Sequence, residues 1–165
     1  MIVPVGIALG SNLGDRSIEL DEAIVYLADL AEGGFIRESP RFETHPVNCP
    51  PGSPPFLNSI AEIIVDSVGM PPLHLMACLQ EFEEERGRSP IHATNEPRPL
   101  DLDIIYYGIE QINDLGLVIP HPRAARRRFV LEPLSHLRPE FILPGQNKTV
   151  AELLAEISQD ELVLK

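Results

Sequence analysis

Cysteine is scarce in this sequence, and its scarcity excludes two kinds of small cross-linked protein. Only Cys49 and Cys78 occur among 165 residues. They are too few and too far apart to form a disulfide framework or a zinc site with four protein ligands. With 44% apolar residues, the chain can be stabilised by a hydrophobic core instead. Its length fits one domain over residues 1–165.

Basic residues are also few: 13 Lys and Arg against 25 Asp and Glu leave a formal net charge of −12. Proteins that bind nucleic acid or anionic membranes neutralise phosphates with a basic surface, so the charge argues against both partners. Arg123, Arg126, Arg127 and Arg128 nevertheless lie within six positions. This local cationic patch is either a site for one small polyanionic ligand or a solvated basic turn.

Long hydrophobic runs are absent as well. The apolar start, MIVPVGIAL, has no basic leader and no cleavage-site pattern. No apolar run approaches the roughly 20 residues that a membrane-spanning helix needs. We therefore expect a soluble cytoplasmic protein, and we take a monomer as the working expectation.

Hydrophobic periodicity predicts an α+β fold. The segment VPVGIALGSN is typical of a core strand, and residues 16–31 carry apolar residues at helical spacing. FIRESPRFET and FLNSIAEIIVD are two extended segments joined by a proline-rich loop, which indicates a long hairpin. A second helix is expected from Pro71 or Pro72 to about Gly87, followed by the strand RPLDLDIIYYG. The resulting order, β-α-β-β-α-β, is typical of a ferredoxin-like core. Extra helical pieces are expected near Ala124, near Pro133 and at residues 151–157.

Two aspartates lie one residue apart in that last strand. Because side chains alternate along a strand, Asp101 and Asp103 point to the same face. Adjacent carboxylates repel each other unless a cation lies between them, and Mg²⁺ prefers a few carboxylates together with water and substrate phosphates. The pair is therefore either a magnesium site or a solvated strand face.

Four segments together, ALGSNLGDR, FLNS, RPLDLDIIYYG and PHPRAARRRFVLEPL, resemble the hydroxymethyl-dihydropterin pyrophosphokinase family of folate biosynthesis. The resemblance covers nearly the whole chain, in order. It implies Mg-dependent transfer of pyrophosphate from ATP to the hydroxymethyl group of 6-hydroxymethyl-7,8-dihydropterin, with release of AMP. It also implies a ferredoxin-like fold, in agreement with the periodicity.

The resemblance assigns roles to individual residues. Asp101 and Asp103 would hold two magnesium ions bound with ATP. The residues matching positions that contact the nucleotide are Arg88, Arg98, His121 and Arg127, and the first two would act in catalysis together with the aspartates. The residues matching the pterin pocket are Thr44, Val47, Phe56, Asn58 and Phe129. Glu83 matches an acidic position, although a solvated charge at a helix end explains it equally well. No residue is assigned as a general base.

This sequence departs from the family pattern in one loop. Pro90 stands where an arginine is common, TNEPR replaces RWGPR around Thr94 and Asn95, and Pro122 follows His121 where tyrosine is frequent. We expect the loop from Arg88 to Pro97 to be mobile without ligand and to close over ATP. Because of these departures, we expect the closed loop to be held less tightly than in proteins that keep the family pattern.

Two other functions fit parts of the pattern. A catalytically silent ligand-binding module can share the same scaffold, because fold does not fix function. A different magnesium-dependent nucleotidyl or phosphoryl transferase is the other, although the sequence contains no GxxxxGK[ST] loop.

Overall fold

The computed structural model describes residues 1–44, 52, 54–87, 99–114, 116–157 and 163–164. Helices and strands alternate through the first two thirds of the chain, and helices dominate the remainder. The strands are β1 (Ile2–Ser11), β2 (Ile36–Glu38), β3 (Phe42–Thr44), β4 (Phe56–Asp66), β5 (Asp101–Tyr107), β6 (Ile112–Asp114), β7 (Leu117–Ile119) and β8 (Val163–Leu164). The α-helices are α1 (Arg16–Leu30), α2 (Pro72–Glu85), α3 (Arg128–Leu137) and α4 (Val150–Glu156).

The main sheet has the strand order β5-β1-β4-β3-β8, with β2 also paired to β4. Its pairings are antiparallel. The expected mixture of helices and an antiparallel sheet is therefore confirmed. The extended segment before the proline-rich loop forms two short strands, because Pro40 lies between them and proline cannot donate to a ladder. The sequence analysis did not predict the separate β6–β7 hairpin.

Each face of the main sheet packs on its own hydrophobic cluster. One cluster contains Leu20, Ala23 and Leu27 of α1 together with Leu75 and Leu79 of α2. The other is built around residues of α3 and α4, among them Val130, Leu134 and Val150. The sheet is thus covered on both sides. None of the helices within the described residues is long and apolar enough to cross a membrane.

The register of β1 against β5 shifts at one point. Ile7 pairs with Ile104, but Gly6 pairs with Tyr106, so Ile105 is an extra residue in β5. A bulge of this kind changes the side on which the following residues point. Ile105 and Tyr106 consequently both lie in the α3–α4 cluster. The Tyr106 ring occupies the space above Gly6, where a Cβ atom would be 2.2 Å from its Cε1 atom.

Replacing Gly6 by alanine is therefore expected to destabilise the protein by roughly 1 to 3 kcal/mol, the usual cost of overpacking a core. Chemical denaturation of the Gly6→Ala protein measures this cost. Gly69→Ala is a suitable control, since the nearest atom to a Cβ there is 3.9 Å away. Equal free energies of unfolding for the two variants would contradict the proposed contact between Tyr106 and the backbone of β1.

Candidate active site

Strand register brings residues from the two halves of the predicted site onto one face of the sheet. Gly10 of β1 is opposite Asn58 of β4 on one side and opposite Asp101 of β5 on the other. Residues directly opposite each other in an antiparallel sheet project from the same face. Ala8, in the next row of that face, is opposite Asp103. The predicted pterin reader and the predicted metal ligands therefore share a face.

Asp101 and Asp103 line a cavity of about 550 Å³. Both side chains are partly buried. The cavity lies along β5, an edge strand of the described sheet. Its walls come from α2, β5, β7 and the residues on either side of β7, through Met76, Leu79, Gln80, Glu83, Glu84, Asp101, Leu102, Asp103, Ile104, Gly116, Leu117, Val118, His121 and Pro122.

The two aspartates suit a hard divalent cation. They are oxygen ligands on the same face of β5, and both border a cavity large enough for a ligand. Within the residues that the structure describes, no group of three or more His, Cys, Asp or Glu side chains could hold a metal ion. Magnesium commonly takes only one or two protein carboxylates and completes its shell with water and substrate phosphates. The donor set therefore fits a magnesium ion shared with a phosphate-bearing ligand.

Glu83 supports the strand that carries the aspartates. Its side chain is only 7% exposed, which contradicts the interpretation as a solvated charge. Its Oε2 atom accepts a hydrogen bond of 2.7 Å from the backbone N–H of Leu102, the residue between the two aspartates. The sequence does carry a signal for this burial, because Leu75, Leu79 and Glu83 recur every four residues on the buried side of α2.

Thr44 and Asn58 form a buried polar pair on the other side of Gly10. The Nδ2 atom of Asn58 donates to the Oγ1 atom of Thr44 at 2.5 Å. Asn58 is 7% exposed and Thr44 is 6% exposed. A Cβ atom on Gly10 would lie 3.0 Å from the Asn58 Oδ1 atom and 3.5 Å from the Cδ1 atom of Phe56. Glycine at this position thus leaves room for both side chains above β1.

The basic segment before α3 contributes charge at the site. The Arg127 guanidinium lies 5.1 Å from the ring centroid of Phe129. Phe129 itself packs against the α3–α4 cluster. Its neighbour Arg128 is paired with Glu132 on the same helix at 3.2 Å, and Arg126 is exposed. The predicted stacking of Phe56 and Phe129 on two faces of one ring stays a prediction.

The backbone of His121 is bonded to β5, and its ring is bonded to the turn that follows. Its N–H donates to the carbonyl oxygen of Ile105 at 3.0 Å, and its Nδ1 atom accepts from the N–H of Arg123 at 3.2 Å. Burial first, and then the positive charges of Arg127 and Arg123, together lower the pKa of His121 to about 4 against the opposing effect of Asp101. The ring is therefore neutral near pH 7, with its proton on Nε2 available for donation.

Some predicted site residues lie outside the described residues. These are Val47, Arg88 and Arg98, together with the altered loop positions Pro90, Thr94 and Asn95. Of the remaining candidates, Asp101, Asp103 and His121 line one cavity. Thr44, Phe56 and Asn58 lie at the paired ends of β3 and β4, and β1 separates β4 from the strand that borders that cavity.

The neutral state of His121 predicts a pH dependence of stability. The unfolded chain takes up a proton near the ordinary pKa of 6.5, whereas the folded protein does so only near 4. Stability should therefore fall as pH decreases from 6.5 to 4, and this loss should be smaller in His121→Asn. Denaturation across that pH range, with divalent metals chelated, measures the effect. His74→Asn, at an exposed position of α2, should retain the parent pH profile; an unchanged profile in His121→Asn would refute the assignment.

Comparisons with known proteins identify the family of this chain. Residues 6–139 match the family described as 7,8-dihydro-6-hydroxymethylpterin-pyrophosphokinase (HPPK). A 2-amino-4-hydroxy-6-hydroxymethyldihydropteridine pyrophosphokinase of Haemophilus influenzae is 32% identical over 157 residues, which cover 95% of this chain and 94% of the relative. The enzyme of the same name from Pseudomonas aeruginosa is 37% identical over 94% of this chain and 92% of its own length.

Longer proteins also match. The folate synthesis bifunctional protein of Arabidopsis thaliana is 39% identical over a match that covers 81% of this chain and 26% of that protein. A crystal structure of HPPK-DHPS in complex with substrates superposes with a TM-score of 0.70 at 12% identity, over 92% of this chain and 42% of the other. Wild-type HPPK-DHPS from Plasmodium falciparum superposes with a TM-score of 0.64 at 14% identity, over 93% and 43% of the two chains. At these identities the structures show a shared fold.

Proposed function

Because the chain belongs to the 7,8-dihydro-6-hydroxymethylpterin-pyrophosphokinase family, we propose that it transfers pyrophosphate from ATP to the hydroxymethyl group of 6-hydroxymethyl-7,8-dihydropterin. AMP is the other product, and the reaction serves folate biosynthesis. The observation that carries the proposal is the row of residues across three strands, in which Gly10 separates Asn58 from Asp101. This row puts an amide that can read a heterocycle beside a carboxylate that can bind a metal ion.

The finer description of the fold is part of the same proposal. If β2 and β3 are counted as one strand interrupted at Pro40, the core follows the ferredoxin-like order. The observed sheet order, β5-β1-β4-β3, supports this interpretation. That the enzyme is one domain, acts as a monomer and works in the cytoplasm remains a prediction from the sequence.

The nucleotide would occupy the cavity beside β5. Asp101 and Asp103 would hold two magnesium ions there, which would neutralise charge on the phosphate oxygens of ATP. The neutral His121 ring would donate its Nε2 hydrogen to a phosphate oxygen. Arg127 stays charged and can give forked hydrogen bonds to phosphate, and Arg88 and Arg98 would do the same. Catalysis would then rest on positioning and electrostatic stabilisation.

The pterin would bind at the ends of β3 and β4. The hydrogen bond to Thr44 orients the Asn58 amide, so that its remaining polar groups can read the edge of a flat heterocycle. Phe56 and Phe129 would stack on the ring, and Val47 would contribute to the rim of the pocket. Because Gly10 has no side chain between Asn58 and Asp101, the hydroxymethyl group would extend toward Asp101 and the phosphates.

The first test of this function replaces the metal ligands. Asp101→Asn and Asp103→Asn should each lower turnover by about 100-fold or more, since even substitutions behind a metal ligand cost about 10 to 100-fold. Pterin binding without nucleotide should persist. The assay follows AMP formation from ATP with magnesium and the pterin alcohol. Asp114→Asn, an exposed aspartate on β6, is the matched control.

The same assay separates the alternatives. AMP formed only in the presence of the pterin alcohol supports a pyrophosphokinase, whereas ADP indicates a different phosphoryl transferase. Binding of both ligands with no product indicates a catalytically silent module. Near-normal turnover in either aspartate variant at limiting magnesium would refute the metal site.

The second test concerns the pterin pocket. Phe129→Ala should weaken pterin binding more than ATP binding, because an aromatic stacking contact is worth about 0.5 to 1.5 kcal/mol beyond burial. Separate titrations of the two ligands measure the difference. Phe129→Leu keeps most of the packing against the α3–α4 cluster and controls for lost stability. Equal losses of affinity for both ligands would contradict the assignment. Phe129 would then act on ATP binding through Arg127, whose guanidinium lies over its ring.

A further inference from the structure

The segment between β1 and α1, Asn12 to Arg16, belongs to the ALGSNLGDR motif of the family resemblance, but none of its residues has an assigned role in the reaction. Asp15 caps α1, because its Oδ1 atom accepts from the N–H of Ile18 at 3.1 Å. The side chains of Asn12 and Arg16, on either side of this cap, both contact the chain that leads into β4. The proposed pterin pocket lies at this end of β4.

Arg16 holds the two pocket strands together. Its Nη1 atom donates to the carbonyl oxygen of Pro55 at 3.0 Å, and its Nη2 atom forms an ion pair with Glu43. Pro55 directly precedes Phe56, and Glu43 directly precedes Thr44. Since Thr44 and Phe56 are paired across β3 and β4, a single guanidinium contacts both strands one residue away from the pocket.

Two successive prolines, Pro54 and Pro55, lead into β4. Pro54 and Pro55 have no N–H group, so this segment can be held in place only through its carbonyl groups and its packing. Arg16 holds the carbonyl of Pro55, and Asn12, which is 1% exposed, donates to the carbonyl of Pro54 at 3.4 Å. The β1–α1 turn thus supplies donors to two successive carbonyls.

We infer that Arg16 is a positioning residue for the pterin substrate. It sets the separation and direction of the ends of β3 and β4, so that Thr44, Phe56 and Asn58 are arranged to receive a flat heterocycle before it binds. This inference rests on the proposed function. The ion pair itself adds little to stability, because the Arg16 and Glu43 side chains are 29% and 37% exposed and exposed pairs contribute little. Its effect should therefore appear in substrate binding rather than in unfolding.

The test replaces the guanidinium while keeping the aliphatic stem. Arg16→Met should weaken binding of the pterin alcohol about tenfold, the scale of one lost charge-assisted hydrogen bond, and should raise its KM while leaving kcat and ATP affinity unchanged. Arg16→Lys should restore part of the loss, because one ammonium can reach Glu43 or Pro55 but cannot present a planar fork to both. Arg37→Met is the matched control. Arg37 also forms an ion pair with a strand glutamate, Glu62, at 2.8 Å, but Glu62 lies four positions along β4 from Asn58.

A second variant keeps the inference testable if Arg16→Met does not fold. Glu43→Gln removes only the charge of the partner, and it should weaken pterin binding in the same direction. The Arg16→Met/Glu43→Gln double variant should lose less than the sum of the two single variants, as expected for residues in contact. Unchanged pterin affinity in Arg16→Met or Glu43→Gln, or equal losses for pterin and ATP, would overturn the inference. A wild-type protein that neither binds the pterin nor forms AMP would instead overturn the proposed function.

Discussion

Alternation of large and small side chains along β1 is the constraint on which the other features depend. Val5, Ile7 and Leu9 are fully or almost fully buried in the cluster beneath α1 and α2. Gly6, Ala8 and Gly10 alternate with them and point to the opposite face. The large residues anchor the strand in the core, as alternation in a two-sided sheet requires. The small residues leave space above the strand, which Tyr106 fills at Gly6 and which Asn58 and Phe56 border at Gly10.

The same register sets the distance between the two halves of the site. Asn58 and Asp101 are opposite Gly10 on its two sides, so two strand spacings separate them, or about 10 Å. Such a span suits a substrate whose ring is read at one end and whose hydroxyl group reacts at the other. Backbone hydrogen bonds fix this separation of the Cα atoms, and the side-chain rotamers then adjust the distance between the functional groups. Precise positioning of two reactants is a large part of what an enzyme contributes.

Patterns local to the sequence predicted much of this structure, and long-range packing determined the rest. Helical spacing located α1 and α2, and the alternation of Asp101 and Asp103 in an apolar strand located β5 and its polar face. The bulge at Ile105 could not be predicted, because it arises from the pairing of β5 with β1 and not from the period of either strand. The β6–β7 hairpin was missed since its three-residue strands are too short for alternation to be visible. The contacts of Arg16 with Glu43 and Pro55 join residues 27 and 39 positions apart, beyond any local pattern.

The charges at the site are divided, although the whole chain is acidic. On one side, Asp101 and Asp103 lie beside each other on β5. On the other, the positive charges of Arg127 and Arg123 lower the pKa of His121 against the opposing effect of Asp101, although the whole chain has a net charge of −12. A free cation would meet attraction at the aspartates and repulsion from the arginines, and a free polyanion would meet the reverse. In the proposed function, a magnesium–nucleotide complex would satisfy both sides at once, so the divided charge would favour the complex over either component and couple the binding of metal to that of nucleotide.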